Sequence, residues 1–170
     1  KTYSNYLEQQ RDLLSKKLPI YADKEKGAEF VKNFGAQGHS IIFTSRNQKK
    51  VNVLSKKLNN LGANKIVGIN IDLEEDGAVD KIILELIKKK VYPNILINNA
   101  RNLKFSNTDN KGNISKTNWL GENFMSMALP HELSMKLTYM KNTKLKKIIN
   151  ISSIYGVSVA NLSIYKNPNK

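Results

Sequence analysis

Apolar residues along this chain follow two spacings that alternate from about residue 40 onward. Short runs rich in Ile, Val and Phe are typical of buried strands, and they lie at residues 40–44, 65–71, 93–97 and 147–151. Between these runs apolar residues recur every three or four positions, as on one helix face, over residues 47–61, 78–90 and about 117–137. Strands that are apolar almost throughout, separated by amphipathic helices, predict a parallel sheet with helices on both faces.

The beginning of the chain fits this alternation less well. A charged helix is predicted for residues 4–18 and a second helix for residues 25–34, with an inward face of Ala28, Phe30 and Val31. The segment Ile20-Tyr21-Ala22 is too short for its spacing to indicate a strand. The domain is therefore expected to occupy residues 26–170, after a helical segment over residues 1–25.

Polar or small residues follow each of the four predicted strands. In a doubly wound parallel sheet the ligand site lies outside the carboxyl ends of the strands. Those ends carry, in chain order, Thr44-Ser45-Arg46-Asn47, Asp72-Leu73, Asn98-Asn99-Ala100-Arg101 and Ser152-Ser153-Ile154-Tyr155-Gly156. We expect these four segments to line one cleft.

Composition excludes several classes of protein. The chain has no Cys, which excludes a disulfide-stapled scaffold, a thiolate zinc site and a Cys nucleophile. No stretch approaches about 18 uninterrupted apolar residues, and no apolar core of a signal peptide follows Lys1. A soluble, cytoplasmic protein without a membrane partner is therefore expected.

The charge is strongly positive, at +14, and it comes from 25 Lys and only 3 Arg. Proteins that read nucleic acids rely on Arg for bidentate contacts to bases and phosphates. The Lys-rich composition therefore favours solvated helix faces over a nucleic-acid partner, with a surface for another polyanion as the alternative.

Three motifs, taken in order, resemble the short-chain dehydrogenase/reductase family. They are Asp72-Leu73, then Asn98-Asn99-Ala100 after an apolar strand, then Ile149-Asn150-Ile151-Ser152-Ser153. The resemblance covers residues 26–170 and implies a Rossmann-like doubly wound α/β sheet, incomplete at both ends of a domain that normally has about 250 residues. Residues 152–165 resemble more narrowly the branch of flagellin-modification and surface-polysaccharide oxidoreductases.

The resemblance implies a nicotinamide cofactor and hydride transfer to or from a carbonyl or alcohol carbon of a small molecule. The implied cofactor-binding residues are Ser45, Arg46, Asp72, Leu73, Asn98 and Ala100. A basic residue at Arg46 would meet the 2′-phosphate of NADP, so NADP is expected over NAD, whereas an exposed Arg at a helix start is the plain alternative. Asp72 and Leu73 would contact the adenine ring through a side-chain acceptor and a backbone amide. The plain alternative for Asp72 is a helix N-cap, and the two roles are compatible. Arg101 stands where many members carry Gly.

Two catalytic roles follow from the resemblance. Ser153 would hydrogen-bond the substrate oxygen, and Asn123 would hold a water of the proton relay or, equally, face solvent on its helix. The family also opens with a turn of the form Thr-Gly-x-x-x-Gly-x-Gly that receives the pyrophosphate at a helix N-terminus. Here Gly27 is the only Gly ahead of residues 28–34 of the predicted helix, so the chain departs from the family's phosphate-binding turn.

The family's proton donor is a Tyr followed four residues later by a Lys on the same helix face, where the Lys charge lowers the Tyr pKa. Tyr165 follows Ser153 by 12 residues, but Asn occupies position 169 and Pro168 would interrupt a helix. Tyr165 therefore does not fit this role, and the pair is expected beyond Lys170.

Two functions from different classes remain open at this point. One is an NAD(P)-dependent short-chain oxidoreductase, acting in surface-polysaccharide or sugar metabolism, of which this chain is a truncated and inactive copy. The other is a non-catalytic Rossmann-like domain that binds a nucleotide or a polyanion through its Lys-rich surface, with steep salt dependence. The long helix near residues 117–137 would either pair with another copy in a homo-oligomer or pack on its own sheet.

Overall fold

A five-stranded parallel sheet forms the centre of the computed structural model, which describes residues 19–21 and 26–152. Its strands are β1 (Pro19–Tyr21), β2 (Ile41–Ser45), β3 (Ile66–Asn70), β4 (Ile95–Asn98) and β5 (Lys147–Asn150). Their order across the sheet is β3-β2-β1-β4-β5, and every neighbouring pair is parallel. The chain thus moves outward from β1 in one direction and then in the other, which confirms the predicted Rossmann-like α/β fold and puts its switch point between β1 and β4.

The central strand, β1, is too short to be predicted from the sequence. Ile20 pairs in register with Ile42 of β2 on one side and with Leu96 of β4 on the other. Three residues are too few to show a period, so only pairing with both neighbours identifies the strand. It lies ahead of residue 26, where the sequence pattern places the start of the domain.

Five helices connect the strands in the described part of the chain. They are α1 (Lys26–Ala36), α2 (Gln48–Asn60), α3 (Ala78–Lys88), α4 (Lys116–Asn123) and α5 (Leu129–Tyr139). A π-helical turn over Phe124–Ala128 joins α4 to α5, so the single long helix predicted here is interrupted. A short 3₁₀ helix, Leu103–Ser106, lies in the loop after β4.

Two apolar clusters cover the faces of the sheet. Side chains of β2 alternate between them: Ile41 and Phe43 join one cluster and Ile42 joins the other. The first cluster includes Val31 of α1 with Val51 and Leu58 of α2, and the second includes residues of α3 and α5. The helices therefore lie on both faces, as predicted.

Two details of the helix faces differ from the sequence pattern. Phe30 was predicted to face inward, and this is wrong, because it exposes 40% of its surface while Val31, about 100° further around the helix, is buried. Trp119 and Met127 are also largely exposed, whereas Leu133 and Leu137 are buried. The π-helical turn lies between α4, which has no buried residue, and α5, which has three. A homo-oligomer through this helix stays a prediction.

Candidate functional site

A cavity of about 1080 Å³ lies at the carboxyl ends of β2, β3 and β4. The strand-end residues that line it are Thr44, Ser45, Arg46, Asn47, Asp72, Leu73, Ala100 and Arg101. Three of the four predicted strand-end segments therefore meet in one cleft. Of the fourth, Ser152 is described, whereas Ser153 and Tyr155 lie outside the described residues, as does Tyr165 further along the chain.

The turn after β2 fixes the position of Arg46. The Oγ of Ser45 accepts a hydrogen bond from the backbone N–H of Asn47 at 3.3 Å. The side chain of Asn47 in turn caps α2 by accepting from the N–H of Lys50 at 3.2 Å. Arg46 is thus held between a strand end and a helix start, and its half-exposed side chain lines the cavity.

The turn after β3 lies beside Arg46 on the wall of the cavity. Asp72 accepts a hydrogen bond from the N–H of Glu74 at 3.1 Å, and α3 begins only at Ala78 with Gly77 at its N-cap. The alternative that Asp72 caps a helix is therefore wrong, because the chain forms a turn before α3 starts. The Arg46 guanidinium lies 4.0 Å from the Asp72 carboxylate. Leu73 is half-buried, lines the cavity and packs against the core.

Glu74 is the centre of a polar cluster at this wall. Its carboxylate accepts hydrogen bonds from the amide of Asn102 and the ammonium of Lys104, and lies 3.7 Å from the Arg46 guanidinium. Burial raises the pKa of Glu74, but the hydrogen bonds from Lys104 and Asn102 and the nearby positive charges outweigh burial and hold this pKa below its usual value. Glu74 is therefore a carboxylate at neutral pH.

The sequence pattern missed Glu74, Asn102 and Lys104. Asn102 and Lys104 are 28 and 30 residues from Glu74 and belong to loops. In loops the spacing of apolar residues does not predict which side chains are in contact. Glu74 could have been identified as a candidate from its position, because it follows Asp72 by only two residues, just after a strand.

The residues after β4 divide between two roles. The Asn98 amide donates to the Asn150 side-chain oxygen at 2.8 Å and so ties β4 to β5. Asn98 and Asn99 line a neighbouring cavity of about 30 Å³, and Ala100 lines both cavities. Arg101 lines the large cavity, donates to Ser106 at 2.9 Å and lies 3.5 Å from Glu122 of α4.

Asn123 is the last residue of α4. Its side-chain amide donates to the carbonyl of Trp119 at 2.9 Å, and it is not among the described residues that line either cavity. Met125, two residues later in the π-helical turn, lines both. A catalytic role for Asn123 stays a prediction, as does one for Ser153.

The cavity wall is positively charged. Its described residues include seven basic side chains, Lys32, Arg46, Lys49, Lys50, Lys57, Arg101 and Lys104, against two acidic ones, Asp72 and Glu74. An excess of one sign along a concave surface attracts ligands of the opposite charge. The wall therefore favours an anionic ligand.

Comparison with known proteins identifies the family. The sequence profile described as short chain dehydrogenase matches residues 24–167. The chain belongs to the short-chain dehydrogenase family. None of the curated proteins matches this short-chain dehydrogenase chain.

Solved structures agree with the fold. A short-chain dehydrogenase/reductase from Serratia marcescens is 16% identical, with a TM-score of 0.70 over 88% of this chain and 60% of its own. A short-chain dehydrogenase from Mycobacterium smegmatis is 17% identical, with a TM-score of 0.72 over 87% and 62%. A metagenomic short-chain oxidoreductase in complex with NADP is 19% identical, with a TM-score of 0.70 over 85% and 65%. This short-chain dehydrogenase chain thus spans about three fifths of the length of these structures.

The length and apolar character of the helices decide whether any of them could cross a membrane. Among residues 19–21 and 26–152, none of the helices combines the length and the apolar character needed to cross a bilayer.

Proposed function

We propose that the chain binds NADP(H) in the cavity at the carboxyl edge of its sheet, as the cofactor-binding part of a short-chain oxidoreductase. The observation that carries this proposal is Arg46, which the Ser45–Asn47 turn fixes on the cavity wall directly after β2. A guanidinium at this place suits the 2′-phosphate that distinguishes NADP from NAD. One of the structural neighbours above was solved with NADP.

The residues at this end of the cavity suit the adenosine half of the cofactor. Arg46 would pair with the 2′-phosphate, the Asp72 carboxylate would accept from the adenine amino group, and the backbone amide of Leu73 would donate to the ring. Ala100, which has a small side chain, would let the ribose approach the backbone after β4, next to Asn98. Each of these residues except Asn98 lines the large cavity.

The pyrophosphate of the cofactor would be bound by other groups than the backbone amides of the family's glycine-rich turn. Gly27 is buried in the first turn of α1, and Ala28 and Lys32 of that helix line the cavity. Lys49 and Lys50 of α2 line it as well. We infer that ammonium groups supply positive charge that the family otherwise obtains from backbone amides.

The bound cofactor would supply or accept the hydride. The substrate of the short-chain oxidoreductase would be a small molecule with a carbonyl or alcohol group. The resemblance of residues 152–165 to polysaccharide oxidoreductases supports a sugar substrate. Ser153 and Asn123 would then orient the substrate oxygen and a relay water. In the printed sequence no Tyr is followed four residues later by Lys, so we propose that these 170 residues bind the cofactor without turning it over.

A second candidate function rests on the basic wall. Seven cationic side chains line the cavity, which also suits a non-catalytic domain that holds another nucleotide or a polyanion. Such binding would weaken steeply with salt and would not distinguish NADPH from NADH by Arg46.

Isothermal titration with NADPH and NADH at two salt concentrations separates these candidates. Arg46→Ala should raise the Kd for NADPH by more than about tenfold, equal to about 1.4 kcal/mol, and leave the Kd for NADH nearly unchanged. Lys111→Ala, which removes one exposed charge outside the cavity lining, is the matched control and should change neither. Binding of neither nucleotide contradicts the proposed function.

A further inference from the structure

Two hydrogen-bond donors and a guanidinium, from two separate loops, converge on one carboxylate in the cavity wall. Glu74, after β3, accepts from Asn102 and Lys104, both in the loop after β4. The Arg46 guanidinium, after β2, lies 3.7 Å from the same carboxylate. All four residues line the large cavity, and the Glu74 side chain keeps 22% of its surface exposed. A ligand in the cavity can therefore reach this carboxylate and its donors.

The donor set around Glu74 suits a phosphate as well as a carboxylate. Guanidinium, ammonium and amide N–H groups form charge-assisted hydrogen bonds with both kinds of anion. A phosphate placed against Arg46 would lie close to the negative charge of Glu74, and the two anions would compete for the same cations.

We propose that Glu74 is a built-in competing anion, which holds Arg46 and Lys104 until the 2′-phosphate of the cofactor takes its place, and that Lys104 is a second cationic ligand of that phosphate. This inference rests on the proposed function, that NADP(H) binds in the cavity. It goes further in naming Glu74 and Lys104 as residues that set the preference for NADP over NAD.

A purely structural role makes a different prediction. If the cluster only fastens the loop after β3 to the loop after β4, removing Glu74 would loosen both loops and weaken the binding of NADPH and of NADH by the same factor. If Glu74 competes with the phosphate, removing its charge strengthens the binding of NADPH and leaves that of NADH unchanged. The two nucleotides differ only by the 2′-phosphate, so their ratio of affinities isolates the competition.

The test uses Glu74→Gln, which keeps the size of the side chain and removes its charge. Its control is Glu75→Gln, an equal change of charge one residue away, at a side chain that pairs with Lys81 at 2.8 Å and is not among the residues that line the cavity. Lys104→Met removes the ammonium and keeps an unbranched stem over the Phe105 ring, from whose centroid the ammonium lies 4.6 Å. Lys111→Met is its control.

Isothermal titration should show that Glu74→Gln lowers the Kd for NADPH by about fivefold and changes the Kd for NADH by less than about twofold. Lys104→Met should raise the Kd for NADPH by about fivefold with the same small effect on NADH. Both control variants should behave as wild type. Free adenosine 2′,5′-bisphosphate should follow NADPH, and 5′-AMP should follow NADH.

Three results would overturn the inference. They are a Glu74→Gln variant that weakens NADPH, a change of the same size for both nucleotides, and an effect that Glu75→Gln reproduces. Thermal unfolding checks that each variant is folded, and if Glu74→Gln is not, the NADPH to NADH ratio of Lys104→Met decides alone. Wild-type protein that binds neither nucleotide contradicts the proposed function itself, whereas wild-type binding with an unchanged ratio in both variants contradicts only the role of Glu74 and Lys104.

Discussion

Gly68, in the middle of β3, allows α2 to pack closely on the sheet, and this gives a sharp prediction for stability. A methyl group at this position would lie 2.5 Å from Cγ1 of Val51 in α2 and 3.0 Å from Cζ of Phe43 in β2. Val51 is buried and β-branched, so its side chain has little freedom to turn away. Gly68→Ala should therefore destabilise the fold by about 2 kcal/mol through overpacking.

The same geometry predicts that a second substitution relieves the first. Val51→Ala alone should cost about 2 kcal/mol, because it removes two buried methyl groups and leaves a space. In the double variant the new methyl of Gly68→Ala occupies that space, so the total cost should stay near about 2 kcal/mol and not reach about 4 kcal/mol. For a chain of this size, each single variant should lower Tm by about 4 to 8 °C.

Urea denaturation followed by circular dichroism measures the free energy of unfolding of wild type, both single variants and the double variant. A coupling energy of about 2 kcal/mol between the two positions is expected. If the two costs add to within about 0.5 kcal/mol, the contact between Gly68 and Val51 does not limit how α2 packs, and the reasoning is wrong.

Two further predictions concern packing and pH. Leu137→Ala, at a fully buried position of α5, should lower the free energy of unfolding by about 3 kcal/mol in urea denaturation, whereas Leu84→Ala at an exposed position of α3 should change it by less than about 0.5 kcal/mol. Burial lowers the pKa of His39 below its usual 6.5, so the unfolded chain takes up a proton first and stability should fall as pH drops below about 6.5. His39→Leu should abolish that decline between pH 6.5 and 5 in urea midpoints measured across this range, and an unchanged decline would contradict the assignment.

Much of the fold is predictable because its helices and strands are long enough to show a period. Strands β2 and β3 and helix α2 lie where the spacing of apolar residues predicts them. Asn47 caps the start of α2, and Gly62, with a positive φ, follows its C-cap. The π-helical turn after Asn123 leaves no mark in the spacing of apolar residues. The local signal there is Pro130 in the first turn of α5, which has no N–H for the hydrogen bond that a continuous helix would make. Strand β1 is defined by its neighbours, whose hydrogen bonds hold a segment that is too short to predict alone.

The candidate site divides in the same way. Ser45, Arg46, Asp72, Leu73 and Ala100 are found together because parallel strands bring their carboxyl ends to one edge. The ion pairs that Glu74 makes with Arg46 and Lys104 could not be predicted, because the loops after β2, β3 and β4 that carry these residues meet only in the folded chain. Sequence reasoning therefore locates the cavity better than it locates the charges that compete within it.

The central claim is that NADP(H) binds at the carboxyl edge of the sheet, and NMR titration of the ¹⁵N-labelled chain with NADPH tests it most directly. We predict saturable shifts of backbone amides concentrated in residues 45–47, 72–74 and 100–104. Amides on the outer surface of α3, such as that of Leu84, should not move. Shifts confined to Lys-rich segments away from the cavity, such as residues 144–147, or no shifts at all, would contradict the account.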